Sequence, residues 1–505
     1  MKKFSKKILG SVLILSFMTS TSYAKDFDDL VKINDSKKIW TIEFNHEIDT
    51  DTDNVSTDNI YIKDDDNKKY KDEITLSITP DKKSIKVIPE DLTYKEGEKY
   101  YLCIDNDFKD KNDKKLDDDV KMPFVMGAPK EDIVEFEDSK LEDNIKDKLK
   151  LDDDDVVTKD DMKKIEELNL DDKNISDLKG LKECTNLEEL TLSNNSIKDI
   201  SDLKNLNELR ILNLNDNKID NIEDLTGLEK LEELNISNNS IEDLKPLSNL
   251  KSLEKLILSS NDISDLDGIE TLLELEYLDL SNNDIEDIKD LRDLENLEKL
   301  YLQDNQINEL KYLDDIEDLK ILNLEENKIE TIEGLNDLDE LEYLNLMNNR
   351  IEDVKLIESF DNLEELYLGG NRLDIDDQSI LDDLTELRKL DLTSCGVDNL
   401  DAIADITNLR YLNINNNDVS ELAPISKLYK LEEFYFKGND VSDLDILEDL
   451  EDLEVLDIRD NPVKDVDAII TLDNLDKIYI TSSQENKFED DFEDIDDNGT
   501  DIIVD

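Results

Sequence analysis

The chain has 505 residues, with 134 Asp and Glu against 60 Lys and Arg, a formal net charge of −74 and a pI near 4.1. A negative field of that size repels phosphate backbones and anionic lipid, which argues against nucleic acid and membrane surfaces as partners. The single histidine, His46, cannot assemble a histidine triad or a zinc cluster, no Gly-rich phosphate loop is present, and carboxylates this abundant single out no pair, so the inventory is not that of an enzyme.

Residues 1–24 read as a secretory leader. Lys2, Lys3, Lys6 and Lys7 precede an apolar run from Ile8 to Met18, and Ser22-Tyr23-Ala24 supplies small residues before a cut. The run is too short to span a bilayer, and no cysteine follows it to take a lipid. Removal would take four lysines and no acid, changing the formal charge from −74 to −78.

From 25 to 127 apolar residues alternate in short runs: Trp40, Ile42, Phe44; Ile60, Ile62; Ile74, Leu76, Ile78; Ile85, Val87; Tyr100, Leu102, Ile104. Such runs between polar turns predict a β-sandwich. The W-T-I-x-F stretch at Trp40–Phe44, Ile60–Ile62, Val87–Pro89 and Tyr100–Ile104 resemble the bacterial Ig-like domain of surface-layer and other envelope proteins. Asn112-Asp113 stands where that family often has a glycine in its last turn. The resemblance implies a spacer.

Residues 128–164 turn helical, with Asp138 ahead of Leu141, Ile145 and Leu149 and Thr158 ahead of Asp160, Asp161 and Met162. Both starts carry capping residues, and a helical cap over the first core layer is what a repeat array needs.

From 165 to 485 the pattern L-x-x-L-x-L-x-x-N-x-I repeats. It starts at Ile165 and returns at Leu187, Leu209, Leu231, Leu253, Leu275, Leu297, Leu319, Leu341 and Leu363, then after a two-residue slip at Leu387, Leu409, Leu431, Leu453 and Leu475. About fifteen units of 22 residues predict a leucine-rich-repeat solenoid: a horseshoe with a parallel β-sheet on its concave face and short 3-10-like turns on its convex face. The asparagine of each unit, from Asn195 to Asn461, offers two donors and an acceptor to the turn leaving the strand. Asp199, Asp243, Asp265, Asp287, Asp353, Asp443 and Asp465 each stand one residue before an outer turn, where a carboxylate takes its free N–H groups. The cysteines fit no disulfide framework: Cys184 fills a leucine slot and Cys395 an asparagine slot, where a weak S–H donor replaces part of the amide, so both are expected to be buried and structural.

The cap residues Val134, Phe136, Asp138, Leu141, Ile145 and Val157-Thr158-x-x-Asp161, with the 22-residue repeats after them, resemble the internalin family. That implies a secreted or surface-bound protein that grips another protein on its concave face. No sortase signal, apolar C-terminal tail or wall-binding module is seen, so free secretion or loose surface association is expected. A structural envelope component, with the Ig-like segment as the working part, is the alternative. The repeat also resembles the regulatory subunit of protein phosphatase 1, an intracellular role that the leader opposes. Glycan or cell wall stays open as a partner, as does oligomeric state.

Outward strand positions hold Tyr277, Tyr301, Tyr343, Tyr367, Tyr411, Tyr435 and Tyr479. The first six form pairs on adjacent strands, Tyr277 with Tyr301, Tyr343 with Tyr367 and Tyr411 with Tyr435. The pairs recur every three repeats, about 14 Å apart at the usual strand spacing. Lys255, Lys299, Lys389, Lys437, Arg459 and Lys477 share that face. An aromatic row beside basic residues suits a partner-binding face, although duplication of a three-repeat block would also produce it. The acidic tail, 486–505, reads as solvated chain. Within it Asp494, Asp496, Asn498, Asp501 and Asp505 have the oxygen spacing of a calcium loop, and calcium is the one cofactor considered.

Overall fold

The computed structural model describes residues 12–15, 31–127 apart from 34, 45–46, 52, 96, 114 and 117–118, then 132–152, 155–373, 381 and 384–505 apart from 498. His46 and Asn498 lie outside the described residues, as does most of the predicted leader. Two compact units are present: Met1–Glu135 with Asp152–Met162, and Phe136–Leu151 with Lys163–Asp505.

In the first unit, strands β1 (Val12–Leu15), β3 (Trp40–Phe44), β7 (Ser84–Pro89) and β6 (Ile74–Ile78) form one sheet in the order β1-β3-β7-β6. A second sheet runs β2-β9-β8-β4-β5, built from Val31–Ile33, Val120–Met126, Lys99–Ile104, Ile60–Asp64 and Lys69–Tyr70. Every alternating run predicted from sequence is a strand. Their inward side chains meet in one core, where Trp40 and Phe124 rings lie 4.9 Å apart and Phe44 stacks on Phe108 at 5.1 Å. β1, from the apolar run of the predicted leader, pairs parallel with Thr41–Phe44. Asp113 takes a left-handed φ of 58°, the conformation a glycine would adopt without strain in that turn.

The second unit opens with helix α1 (Ser139–Leu149), whose N-cap Asp138 accepts from Lys140 N. The same carboxylate accepts from Ser176 N at 2.8 Å, tying the cap to the first repeat. Helix α2 (Lys159–Met162) groups with the first unit instead, so the predicted cap segment is divided between the two.

The repeats then lay down one parallel sheet of sixteen strands, β10 (Glu167–Asn169) to β25 (Asp501–Val504), each neighbour to the next in sequence. Those used below are β15 (Tyr277–Asp279), β16 (Lys299–Tyr301), β17 (Ile321–Asn323), β18 (Tyr343–Asn345), β19 (Glu365–Tyr367), β20 (Lys389–Asp391), β21 (Tyr411–Asn413), β22 (Glu433–Tyr435), β23 (Val455–Asp457) and β24 (Lys477–Ile480). Each residue pairs with the one 22 positions on, as Tyr277 with Lys299, except that Glu365 pairs with Lys389 across the two-residue slip and Lys477 pairs with Asp501, 24 positions on, at the last strand. The middle residue of each strand points inward, so Leu278, Leu300 and Leu344 are fully buried. A side chain of that size contributes about 1.5–3 kcal/mol on full burial.

The asparagines do what the spacing predicts. Asn283 donates to the carbonyls of Leu258, Leu280 and Ser281 at 3.0–3.1 Å and accepts from Ile263 N at 3.1 Å, stitching its own turn to the repeat before it. The Cys395 thiol sits 3.3 Å from Leu368 O and 3.6 Å from Thr393 O, a partial substitute for the amide. All three cysteines are free and buried, and burial pushes the Cys103 thiol up to about 11 and those of Cys184 and Cys395 up to about 12. On the outer side, turns such as Ser201–Leu203 and Lys245–Asn249 are 3-10 helices. Asp199, Asp243, Asp265, Asp287, Asp353 and Asp443 accept from the N–H two residues on, at 2.9–3.1 Å. Asp465 precedes a turn of α-helix, α3 (Asp467–Ile470).

The tail departs from expectation. Residues 482–505 are not solvated chain: α4 (Ser482–Lys487) and α5 (Glu489–Asp497) turn Phe488, Phe492 and Ile495 inward, all under 8 % exposed, and β25 adds the sixteenth strand alongside β24. The physical reason is the exposed last core layer, which these apolar residues cover. Gln484 reaches 2.8 Å to Ile458 O, 26 residues back, and so stands in for the missing asparagine. Among the described residues no helix is long and apolar enough to cross a membrane.

Candidate functional site

The short strands leave two outward positions each, flanking the buried leucine. Tyr277, Tyr343 and Tyr411 occupy the first of these, and Tyr301, Tyr367, Tyr435 and Tyr479 the second; all are half-buried. Register places the members of each pair on adjacent strands, and their rings meet at centroid distances of 5.4, 5.5 and 5.5 Å, tilted by 38–44°. The pairs thus form three matched aromatic units at three-strand intervals, β15–β16, β18–β19 and β21–β22.

Burial pushes every one of these six phenols above its ordinary value, and nearby carboxylates add to it. Tyr277 rises to about 12, by burial and then by Asp279. Tyr367 and Tyr435 rise further because each hydroxyl donates to a glutamate on its own strand, Glu365 at 2.8 Å and Glu433 at 2.7 Å. Between the pairs, Asn345 Nδ2 donates to Glu325 and Asn413 Nδ2 to Asp391, at 3.1 and 2.8 Å. The face therefore offers flat apolar rings bordered by fixed hydrogen-bonding groups.

The basic residues of that face are less free than sequence suggested. Lys389 pairs with Glu365 at 2.9 Å, Lys255 with Glu233 at 3.4 Å, and Lys437 lies 3.8 Å from Asp460. Arg459 is bound to Asp457 and Asp505 and its guanidinium lies over the Tyr479 ring, 5.1 Å from the centroid. Lys299 and Lys477 have no carboxylate partner among the described residues. Sequence reading also passed over the residue just before each strand, a column mostly of glutamates that includes Glu276, Glu298, Glu342, Glu364, Glu432 and Glu454. Arg210, Lys320, Arg388 and Arg410 interrupt it and pair with Glu232, Glu298, Glu364 and Glu432. The signal was present as the second position of L-x-x-L.

Of the residues with calcium spacing, Asn498 lies outside the described residues and the other four do not stand on one element. Asp494 and Asp496 stand on α5, where residues two apart point in different directions. Asp501 opens β25, and Asp505 is held by Arg459. The one trio of acids that converges among the described residues is Asp265, Asp267 and Asp290, two of which pair with Lys245 and Lys289. A cleft of about 700 Å³ lies on the turn side, lined by Asp440, Asp443, Asp445, Asp449 and Lys464 among others.

Comparison with known proteins agrees with this architecture. A family model described as leucine-rich repeats (2 copies) matches residues 163–205, 185–227, 207–249, 229–271, 251–293, 273–319, 339–378 and 407–450. No curated protein matches the sequence. Among solved structures, an internalin (inlF) of Listeria monocytogenes is 27% identical with a TM-score of 0.58, covering 68% of this chain and 95% of that one. InlJ of Listeria monocytogenes is 22% identical with a TM-score of 0.59, covering 68% and 80%. A plant peptide hormone receptor, RGFR1, in complex with RGF2 is 19% identical with a TM-score of 0.50, covering 61% of each chain. The chain is thus a leucine-rich-repeat protein with internalin-like structural neighbours.

Proposed function

We propose that this is a secreted or loosely surface-associated protein whose strand face, the concave face of the horseshoe, binds a partner protein, with Tyr343, Tyr367, Tyr411 and Tyr435 at the centre of the site. The observation that carries the proposal is the recurrence of the tyrosine pairs at 5.4–5.5 Å on outward strand positions. Tyrosine contributes large, rigid contact area at small entropic cost and is enriched where binding energy concentrates. Half-buried rings already held by neighbours lose little freedom on binding. The predicted leader supports export, and the internalin-like neighbours and a receptor of this fold in complex with RGF2 support a ligand-gripping role. The first unit acts as a spacer.

Photo-crosslinking tests this on the full chain. A benzoylphenylalanine placed at Tyr367 should capture one discrete partner from the organism's surroundings, and the same residue at Tyr429, which is 59% exposed and away from the strands, should not. Capture from Tyr429 alone would put the partner on the outer turns and overturn the assignment.

A further inference from the structure

The three tyrosine pairs are alike as aromatic units but not in the charge set beside them. At the position in register with the first tyrosine of each pair stand Lys299 beside Tyr277, Glu365 beside Tyr343 and Glu433 beside Tyr411. One strand further on, the same position holds Ile321, Lys389 and Val455. The first pair therefore carries its own cation. The second carries a carboxylate neutralised by Lys389 at 2.9 Å. The third carries Glu433, flanked by Val455, with no cation on it among the described residues. Its single side-chain partner is the Tyr435 hydroxyl, a neutral donor that orients the carboxylate without cancelling its charge.

Most surrounding cations are committed elsewhere; Lys477, in register one strand beyond Val455, is the exception and stands two strands from Glu433. Arg410 is on Glu432, Lys389 on Glu365, Lys437 near Asp460 and Asp505, and Arg459 on Asp457 and Asp505. A second negative group, Asp391, is buried two strands away and held by Asn413 Nδ2 and Thr393 N, so it adds to the field without being neutralised. Two tilted rings whose centroids are 5.5 Å apart, edged by an uncompensated carboxylate, have the chemistry of a cation receptor. The ring faces attract a guanidinium or ammonium, and the carboxylate adds a charge-assisted hydrogen bond.

We infer that the corner made by Tyr411, Tyr435 and Glu433 receives an arginine or lysine side chain presented by the partner. This rests on the strand face being the binding face. It deepens that reading by giving the partner a chemistry, basic at the third tyrosine pair, and a direction, since Lys299 at the first pair repels the same group. A net charge of −74 favours a basic partner in general, but only local geometry distinguishes the third pair from the second.

The probe is a fluorescein-labelled hexapeptide, Gly-Ser-Arg-Gly-Arg-Ser, titrated into the full chain at physiological ionic strength, where charges beyond about 8 Å are screened. Its control replaces both arginines with citrulline, which has nearly the same shape and no charge. Saturable binding of the arginine peptide, about tenfold tighter than the citrulline peptide and lost about tenfold in Glu433→Gln but changed less than twofold in Glu365→Gln, supports the inference. No saturable binding, equal binding of both peptides, or equal losses in the two variants overturns it. Those failures would leave the binding face itself standing if a partner still crosslinks at Tyr367, and absence of that crosslink is the separate failure of the wider reading.

Discussion

Asn283 shows how much one side chain of this array carries. Its amide holds three carbonyls and one N–H from two repeats, and the residue is 8% exposed. Asn283→Ala leaves those groups buried and unpaired, each costing about 1–3 kcal/mol, so a total loss of at least about 2 kcal/mol is expected from denaturant unfolding. Asn461 makes the same kinds of bond, but the Ile458 carbonyl it serves keeps a second donor in Gln484. Asn461→Ala should therefore cost less, and equal losses would contradict the ladder. The residue before each asparagine was not anticipated: it sits at positive φ in nearly every repeat, from Asn194 at 54° to Asp460 at 54°. Asparagine, aspartate and glycine tolerate this conformation and fill most of the column. Glu326 does not suit it, at φ 53°, and its carboxyl is raised above the ordinary value, chiefly by the charge of Asp304 in the repeat before. With the folded value above the unfolded one, protonation favours the native state. The repulsion is absent below the unfolded value, about 4.3, and fully present above the folded value. Glu326→Gln should raise the melting temperature near pH 7 and leave it unchanged near pH 3; an equal gain at both would mean that charge is not the cause.

Among the elements, the C-terminal cap separates what sequence reading could reach from what it could not. The strands, outer turns and asparagine ladder were legible because one constraint, stacking at 22 residues, forces every unit into the same solution. Even the Cys395 exception was legible, since a slot's chemistry is fixed by its neighbours. The cap was missed because it breaks the period. Ser483 holds the expected slot while Gln484, one residue later and one methylene longer, makes the bond, and the acidic run around Phe492 hid a stripe at Phe488, Phe492 and Ile495 with the i, i+4, i+7 spacing of an amphipathic helix. The tyrosine pairing was legible from register, but the ion pairs that occupy most of the basic residues were not, because most of them depend on side chains a repeat or more away in sequence. Phe492→Ala should cost about 3 kcal/mol or more by cavity formation. In a solenoid the damage stays local, so hydrogen exchange should accelerate in β22 to β25 and not in β10 to β15. Uniform acceleration along the array would show that the segment is not a terminal cap.

For the molecule as a whole, charge and binding are linked. A chain with 134 acids and 60 bases repels itself, and the many ion pairs one repeat apart, such as Lys198 with Asp220 and Lys230 with Glu208, offset part of that between neighbouring coils. Both partners are exposed, so each pair contributes little. Screening should help the folded state more than it harms the pairs, and the melting temperature should rise between 10 mM and 500 mM salt. A fall would mean that the pairs outweigh the general repulsion. On the proposed reading, the same field would draw a basic partner from a distance and the tyrosine row would decide where it settles. The most direct measurement of the central claim is the affinity of the captured partner for single alanine variants of Tyr343, Tyr367, Tyr411 and Tyr435, with Tyr312→Ala and Tyr429→Ala as controls off the strands. Each of the four is expected to weaken binding by more than about 1 kcal/mol, roughly fivefold, with both controls unchanged. Loss at Tyr312 or Tyr429 with the four unaffected would place the partner on the outer turns and contradict the account.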